Sequence, residues 1–155
     1  GEKLHETVET VMNVKLDAYL PDEYVHDAQN RIMLYKRISA IDSADARADV
    51  LEEMTDRYGN PPPQALALLT LAMAKAGAQK LGAQSVSHKP GFMTLKFSET
   101  AGVDPMKLVD IVSRHKGNVL LQATVPPSLV LKKPGGASAE EMLPDLMNLM
   151  EEFDT

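Results

Sequence analysis

The spacing of the hydrophobic residues changes near Gly82, and this change constrains the fold more than any other feature of the chain. Between residues 28 and 81, apolar side chains recur at steps of three and four, the period of amphipathic helices. Between residues 83 and 132, most of them lie in short runs bounded by glycine or proline, which is typical of strands. The sequence therefore predicts an α+β fold, in which a helical N-terminal half is packed with a small, mostly antiparallel sheet and further helices.

Capping residues set the expected boundaries of the helices. Ser43 and Asp104 are suitable N-caps, Gly59 is a suitable stop, and Ser138 with Glu141 has capping-box spacing, although Pro144 could kink or shift that helix. Five helices are predicted: 27–40, 43–58, from prolines 61–63 to residue 81, 104–117, and from 138 onward. The third is apolar on every side over residues 65–74, which predicts a buried helix around which the first two pack.

Five short segments have the pattern of strands. Residues 14–20 alternate apolar and polar side chains before Pro21, and this alternation predicts the first strand. The others are 83–87 and 92–97, which flank a turn, and then 119–122 and 129–132. Because no repeat or low-complexity linker divides the chain, residues 14–155 are expected to form one domain. Residues 1–13 are interpreted as a linker or a remnant of cloning.

Composition excludes several classes of protein. The chain of 155 residues has no cysteine, which excludes disulfides, thiolate nucleophiles and cysteine-ligated metal sites. Its longest nearly apolar run, residues 65–74, is much shorter than the roughly 20 residues that cross a bilayer. No positively charged leader precedes an apolar stretch, so we expect a cytoplasmic location and no membrane partner.

Charge is distributed unevenly along the chain. The formal net charge of −6 argues against a domain whose main role is to neutralise phosphates. Residues 1–60 hold 13 acids and 7 bases, residues 61–133 hold 3 and 9, and residues 134–155 hold 6 acids and no base. A basic middle between two acidic ends can attract a partner of either sign, although most surface charge only keeps a protein in solution.

Catalytic signatures are missing from the sequence. It contains no phosphate-binding loop, no G-x-G-x-x-G, no G-x-S-x-G elbow and no H-E-x-x-H motif. The histidines share no helical spacing, so we expect no metal site, no cofactor and no catalytic residues. Gly135 and Gly136 precede a capping serine and could hold an anion, but a plain loop is the simpler interpretation. The four histidines are His5, His26, His88 and His115.

The second predicted helix carries a line of acids opposite its apolar stripe. We call this line the acidic ridge; its members are Asp45, Asp49, Glu52, Glu53 and Asp56. Catalytic carboxylates usually sit in a cleft that separates their pKa values, whereas these should be hydrated. Two interpretations remain open, namely a solvated helix face and a docking surface for a partner rich in arginine or lysine.

A set of bases in the second half of the chain raises the alternative of a stand-alone nucleic-acid-binding module. Aromatic support for it is weak, because Phe92 and Phe97 have opposite parity on their strand and cannot form one stacking platform. A third possibility, an uncharacterised enzyme, would need a cleft of perturbed acids that the sequence does not indicate. The bases are Lys89, Lys96, Lys107, Arg114, Lys116, Lys132 and Lys133.

Three segments carry a resemblance to a known family. Residues 20–25 read LPDEYV, residues 31–38 read RIMLYKRI, and residues 56–59 read DRYG before a run of prolines and an apolar helix. In order and spacing they resemble the C-terminal domain of bacterial transcription-repair coupling factors. The resemblance covers about residues 14–153 and is specific over residues 14–82.

The resemblance implies a non-catalytic regulatory domain of a large ATP-driven DNA translocase whose motor lies outside this chain. In that family the domain docks on the N-terminal repair module, masks its surface for the excision nuclease A subunit, and restrains the translocase until RNA polymerase is engaged. The family's contacting acids match Glu53 and Asp56, and they would meet bases of the partner module. We extend these proposed docking residues to Asp49 and Glu52, which the resemblance does not cover.

Overall fold

The computed structural model describes residues 9–154, which divide into two compact units. Residues 16–76 form a helical unit, and residues 9–15 together with 77–154 form a sheet unit. The helices are α1 (Ala28–Ser39), α2 (Ala44–Tyr58), α3 (Pro63–Lys80), α4 (Pro105–Arg114) and α5 (Ala139–Glu151). The strands are β1 (Val11–Asn13), β2 (Ala83–Lys89), β3 (Phe92–Phe97), β4 (Val119–Gln122) and β5 (Ser128–Lys132). The predicted α+β class is confirmed.

Side-chain caps mark the starts of α1 and α2, and of the two only Ser43 was predicted from the sequence. The side chain of Asp27 accepts a hydrogen bond from the backbone N–H of Gln29, and the Ser43 hydroxyl accepts one from Ala46. Because these bonds satisfy N–H groups that a helix leaves unpaired, they fix where α1 and α2 start. Gly59 follows α2 with a φ of 88°, a conformation that glycine adopts without strain and that ends the helix.

The core of the helical unit lies between α1, α2 and α3. Its fully or nearly fully buried side chains include Leu34 and Ile38 of α1, Val50 and Met54 of α2, and Leu69 of α3. Helix α3 contributes Ala65 and Leu69 to this core, but Leu66 in the same apolar run is 38% exposed. An apolar run predicts burial, but Leu66 lies on a part of α3 that is not covered.

The prediction of a first strand at residues 14–20 is also wrong. These residues alternate between more and less exposed side chains, but within the described chain they belong to no strand. Alternating polarity reports that one side of an extended segment is covered, whereas a strand also needs a hydrogen-bonding neighbour. The strand lies just before, at β1, where Val11 is paired with Ser85. Residues 1–8 of the predicted linker lie outside the described residues, whereas Val11–Asn13, also assigned to that linker, pair with β2 in the sheet.

The sheet has the strand order β1-β2-β3-β5-β4, with one parallel pair and three antiparallel pairs. β2 and β3 form the predicted hairpin, closed at Gly91, where φ is 81°. On one face of β3, Met93, Leu95 and Phe97 are at most 1% exposed. The ring of Phe97 meets the ring of Phe153 edge to face, with 6.0 Å between the centroids.

Helices α4 and α5 start at the predicted residues. Asp104 caps α4, and the Ser138 hydroxyl accepts from the Glu141 N–H, which is one of the two bonds of a capping box, and donates to the Glu141 carboxylate. Pro144 lies inside α5, and the helix continues past it to Glu151. Among residues 9–154, no helix combines the length and the apolar character needed to cross a membrane.

Candidate docking surface on the second helix

The three segments that carry the family resemblance are joined by hydrogen bonds in the helical unit. In the turn of residues 20–25, the Pro21 carbonyl accepts from the N–H groups of Tyr24 and Val25 at 3.0 and 3.1 Å. This turn directs the Tyr24 hydroxyl to the end of α2, where it donates to the carbonyl of Gly59 at 2.8 Å and lies 3.2 Å from that of Met54. The turn therefore holds the C-terminal end of α2 in place.

The same turn is fastened to α1. The Tyr35 hydroxyl accepts from the Leu20 N–H at 2.8 Å, and the Arg31 guanidinium donates to the Val25 carbonyl at 2.8 Å. Arg31 also lies 3.5 Å from the Asp22 carboxylate. Each of the three segments thus has a structural role, which is to fix α1 and α2 against one turn.

Aromatic contacts complete the end of α2. The rings of Tyr24 and Tyr58 meet edge to face with 5.8 Å between centroids, and the Arg57 guanidinium lies 5.4 Å from the centroid of Tyr58. Burial, and secondarily the neighbouring Tyr58, raise the pKa of the Tyr24 hydroxyl above its usual value. The hydroxyl therefore stays protonated and remains a donor to the end of α2.

Replacement of Tyr24 by phenylalanine tests this role. Tyr24→Phe removes the donor but keeps the ring, so we expect the free energy of unfolding to fall by about 1 kcal/mol, the usual net value of a hydrogen bond. Urea unfolding measures this free energy. Tyr58→Phe is the matched control, because no hydrogen bond of the Tyr58 hydroxyl is found in the described chain. Equal stability of Tyr24→Phe and wild type would contradict this role of the hydroxyl.

The acidic ridge lies on the outer side of α2. Val50 and Met54 are 3% and 0% exposed, so they anchor the inner side of the helix in the core. Asp49, Glu52 and Asp56 are exposed, as is Asp45 in the first turn. Since the helix period places the acids away from the anchored face, the ridge is accessible to a partner.

Glu53 differs from its neighbours because it is half-buried and already paired. Its carboxylate accepts from the guanidinium of Arg37, a residue in the last turn of α1. Within residues 9–154, Asp49, Glu52 and Asp56 form no ion pair. The structure thus places the four candidate acids on α2 and adds one base, in contact with Glu53, that the sequence did not single out. Arg37 and Glu53 are 16 residues apart, and no local pattern links them.

The bases of the sheet unit do not form a uniform positive surface. Arg114 pairs with Asp110 and lies 3.4 Å from Glu152, and Lys133 lies 2.9 Å from Asp145. Phosphates would have to displace these acids, which lowers the electrostatic gain of binding. Phe92 is exposed while Phe97 is buried, so the two rings form no common platform for bases. These observations do not favour a nucleic-acid surface.

The histidines within the described chain do not form a common site. The His88 Nε2 lies 2.9 Å from the Ala137 carbonyl, and the His115 Nε2 lies 2.7 Å from the Glu152 carboxylate. Over residues 9–154, no group of three histidine or acidic side chains is arranged to hold a metal ion. His5 lies outside the described residues.

A mixed five-stranded sheet unit and a three-helix unit with an outward acidic ridge define the α+β fold of this chain. The family model of the TRCF domain matches residues 14–108, which is more than half of the chain. The chain therefore belongs to the TRCF domain family, as its sequence segments predicted.

Curated relatives agree with this assignment. The transcription-repair-coupling factor of Bacillus subtilis is 27% identical over 94% of this chain, and that of Myxococcus xanthus is 26% identical over 94%. The Escherichia coli protein is 27% identical over 69% of the chain. The chain spans 13%, 12% and 9% of the lengths of these three proteins.

A solved structure has the same fold. The crystal structure of the C-terminal domain of a transcription-repair coupling factor superposes with a TM-score of 0.85. The match covers 97% of this chain and 95% of that chain, at 24% sequence identity. The fold predicted from the sequence is therefore that of a known C-terminal domain.

Proposed function

We propose that residues 14–155 act as a single autoinhibitory domain of a transcription-repair coupling factor. The domain docks on the N-terminal repair module of the same full-length protein. In the docked state it masks the surface that binds the excision nuclease A subunit and restrains the ATP-driven DNA translocase. It acts in the cytoplasm, has no catalysis of its own, and meets RNA polymerase and DNA indirectly, through the full-length protein.

One observation carries the proposal: a helix held in the core by Val50 and Met54 presents its acids outward. Because the inner face is anchored, the backbone positions of Asp49, Glu52, Glu53 and Asp56 are held on one side of the helix. A basic surface can pair with acids held in this way without any rearrangement of the domain. We take the partner from the family resemblance, which implies that the contacting acids of this domain meet bases of the repair module.

The strength of such an interface suits a reversible clamp. An exposed or partly exposed ion pair contributes about 0.2–1 kcal/mol, so four acids give an interface of a few kcal/mol. An effector with a differential affinity of similar size shifts the population between docked and released states. Docking through exposed charges is therefore strong enough to restrain the motor and weak enough to be reversed when polymerase binds.

Charge reversal in the full-length protein tests the proposal. Glu53→Lys together with Asp56→Lys replaces attraction by repulsion, so we expect severalfold higher basal ATPase activity without RNA polymerase, and stronger binding of the excision nuclease A subunit. The ATPase rate and a pull-down of the A subunit measure the two effects. The matched control is Glu99→Lys, which reverses an exposed acid outside α2. Unchanged basal activity in the double variant would remove the acidic ridge from the mechanism.

A further inference from the structure

The ion pair between Arg37 and Glu53 joins α1 to the candidate docking surface. The side chain of Arg37 is 47% exposed and that of Glu53 is 34% exposed, so water and a partner can reach both. Glu53 is one of the two acids that the family resemblance assigns to docking, and the other is Asp56. Glu53 is therefore already paired with a cation of its own domain, Arg37, at the position that a cation of the partner would occupy.

The position of Arg37 is fixed by its neighbours in the core. Ile38, the next residue, is 2% exposed, and Leu34, one turn earlier, is 5% exposed. Both belong to the same buried cluster as Val50 and Met54 of α2. Since α1 is held against α2 in this way, Arg37 lies at the edge of the contact between the two helices, within reach of Glu53.

We infer that Arg37 competes with the partner's cation for Glu53 and so limits the strength of docking. This inference rests on the proposed function. An incoming arginine or lysine must either displace Arg37 or share the Glu53 carboxylate with it, and sharing brings two like charges together. Part of the gain from the new pair is offset by the loss of the internal pair.

The two acids then have different roles. Within the described chain Asp56 forms no ion pair, so it accepts a partner's base without first giving up a contact. Glu53 exchanges one guanidinium or ammonium partner for another, and the exchange adds little net affinity. Asp56 is the anchor of the surface, and the Arg37–Glu53 pair adjusts how easily the domain is released.

Removal of an ordinary contact residue weakens binding, whereas removal of Arg37 is expected to strengthen it. We expect Arg37→Gln to tighten binding of the 155-residue chain to the N-terminal repair module about two- to fivefold at low salt, the range that a partly exposed ion pair contributes. Fluorescence anisotropy of the labelled chain measures the dissociation constant. Arg37→Gln/Glu53→Gln should bind no more tightly than Glu53→Gln alone, because glutamine at position 53 carries no charge for which Arg37 and the partner's cation could compete.

Lys36→Gln is the matched control, because it removes the same charge from the adjacent position. Lys36 is exposed and forms no ion pair within residues 9–154, so its loss should change binding much less than that of Arg37. Thermal unfolding checks that each variant is folded, and Arg37→Met, which keeps most of the aliphatic stem, replaces Arg37→Gln if the latter unfolds.

Each outcome of this experiment is decisive. Unchanged or weaker binding by Arg37→Gln overturns the inference while the proposed function stands, and so does equal tightening by Lys36→Gln. Absence of binding by the wild-type chain overturns the proposed function and, with it, the competition by Arg37.

Discussion

Replacement of Met54 by alanine is expected to lower the free energy of unfolding by about 2–5 kcal/mol, the range measured when a large core side chain is truncated. Met54 is completely buried and packs in the cluster that joins α1, α2 and α3. Its carbonyl also lies 3.2 Å from the Tyr24 hydroxyl, at the turn that fixes the end of α2. Truncation leaves a cavity directly beneath the acidic ridge, which the surrounding helices can fill only in part.

Urea unfolding followed by circular dichroism measures this loss. Glu52→Ala is the matched control, because Glu52 lies on the same helix but is exposed, and its replacement should change stability by less than about 0.5 kcal/mol. If Met54→Ala were as stable as Glu52→Ala, Met54 would not anchor α2, and the argument that the core holds the ridge in line would be wrong.

Reversal of both Glu53 and Asp56 to lysine is expected to weaken docking on the N-terminal repair module on the order of 100-fold at low salt. The attractive pair of Asp56, worth up to about 1 kcal/mol, is lost, while the loss at Glu53 is smaller because Arg37 already offsets its gain; two repulsive pairs of up to about 1 kcal/mol each replace them. Asp56 is exposed and Glu53 is half-buried, so both changes act at an accessible surface. Anisotropy of the labelled domain, titrated with the repair module, measures the dissociation constant.

Two further variants separate docking from folding. Glu53→Lys also places a lysine beside Arg37, which disturbs the contact between α1 and α2. Glu53→Gln/Asp56→Asn removes the charges without this repulsion and should weaken binding by an intermediate factor. Glu99→Lys changes the net charge in the same direction outside the ridge and should have little effect. An equal loss in Glu99→Lys would mean that overall charge, and not the ridge, determines binding.

Signals that act over a few residues predicted the fold well. The predicted caps at Ser43, Asp104 and Ser138 lie at the helix starts because each side chain bonds to an N–H two or three residues further on. The hairpin of β2 and β3 was likewise predicted from its glycine-containing turn. These interactions are determined by the local sequence alone, so a single sequence contains them.

Features that depend on distant residues were predicted less well. Residues 14–20 have the alternation of a strand but lack a partner strand, and Leu66 belongs to an apolar run but lies at the surface. The outward position of Asp49, Glu52 and Asp56 followed from the helix period. The pairing of Glu53 with Arg37 did not, because it depends on how α1 and α2 pack.

The central claim is that exposed acids of α2 hold this domain on a basic neighbour. A salt titration of docking tests it most directly. The dissociation constant of the wild-type domain and the N-terminal repair module should rise at least about tenfold between low and high salt, because exposed charge pairs are screened. Glu53→Lys/Asp56→Lys should bind weakly at every salt concentration. Tight wild-type binding that does not change with salt, or equal binding by the reversed variant, would contradict the account.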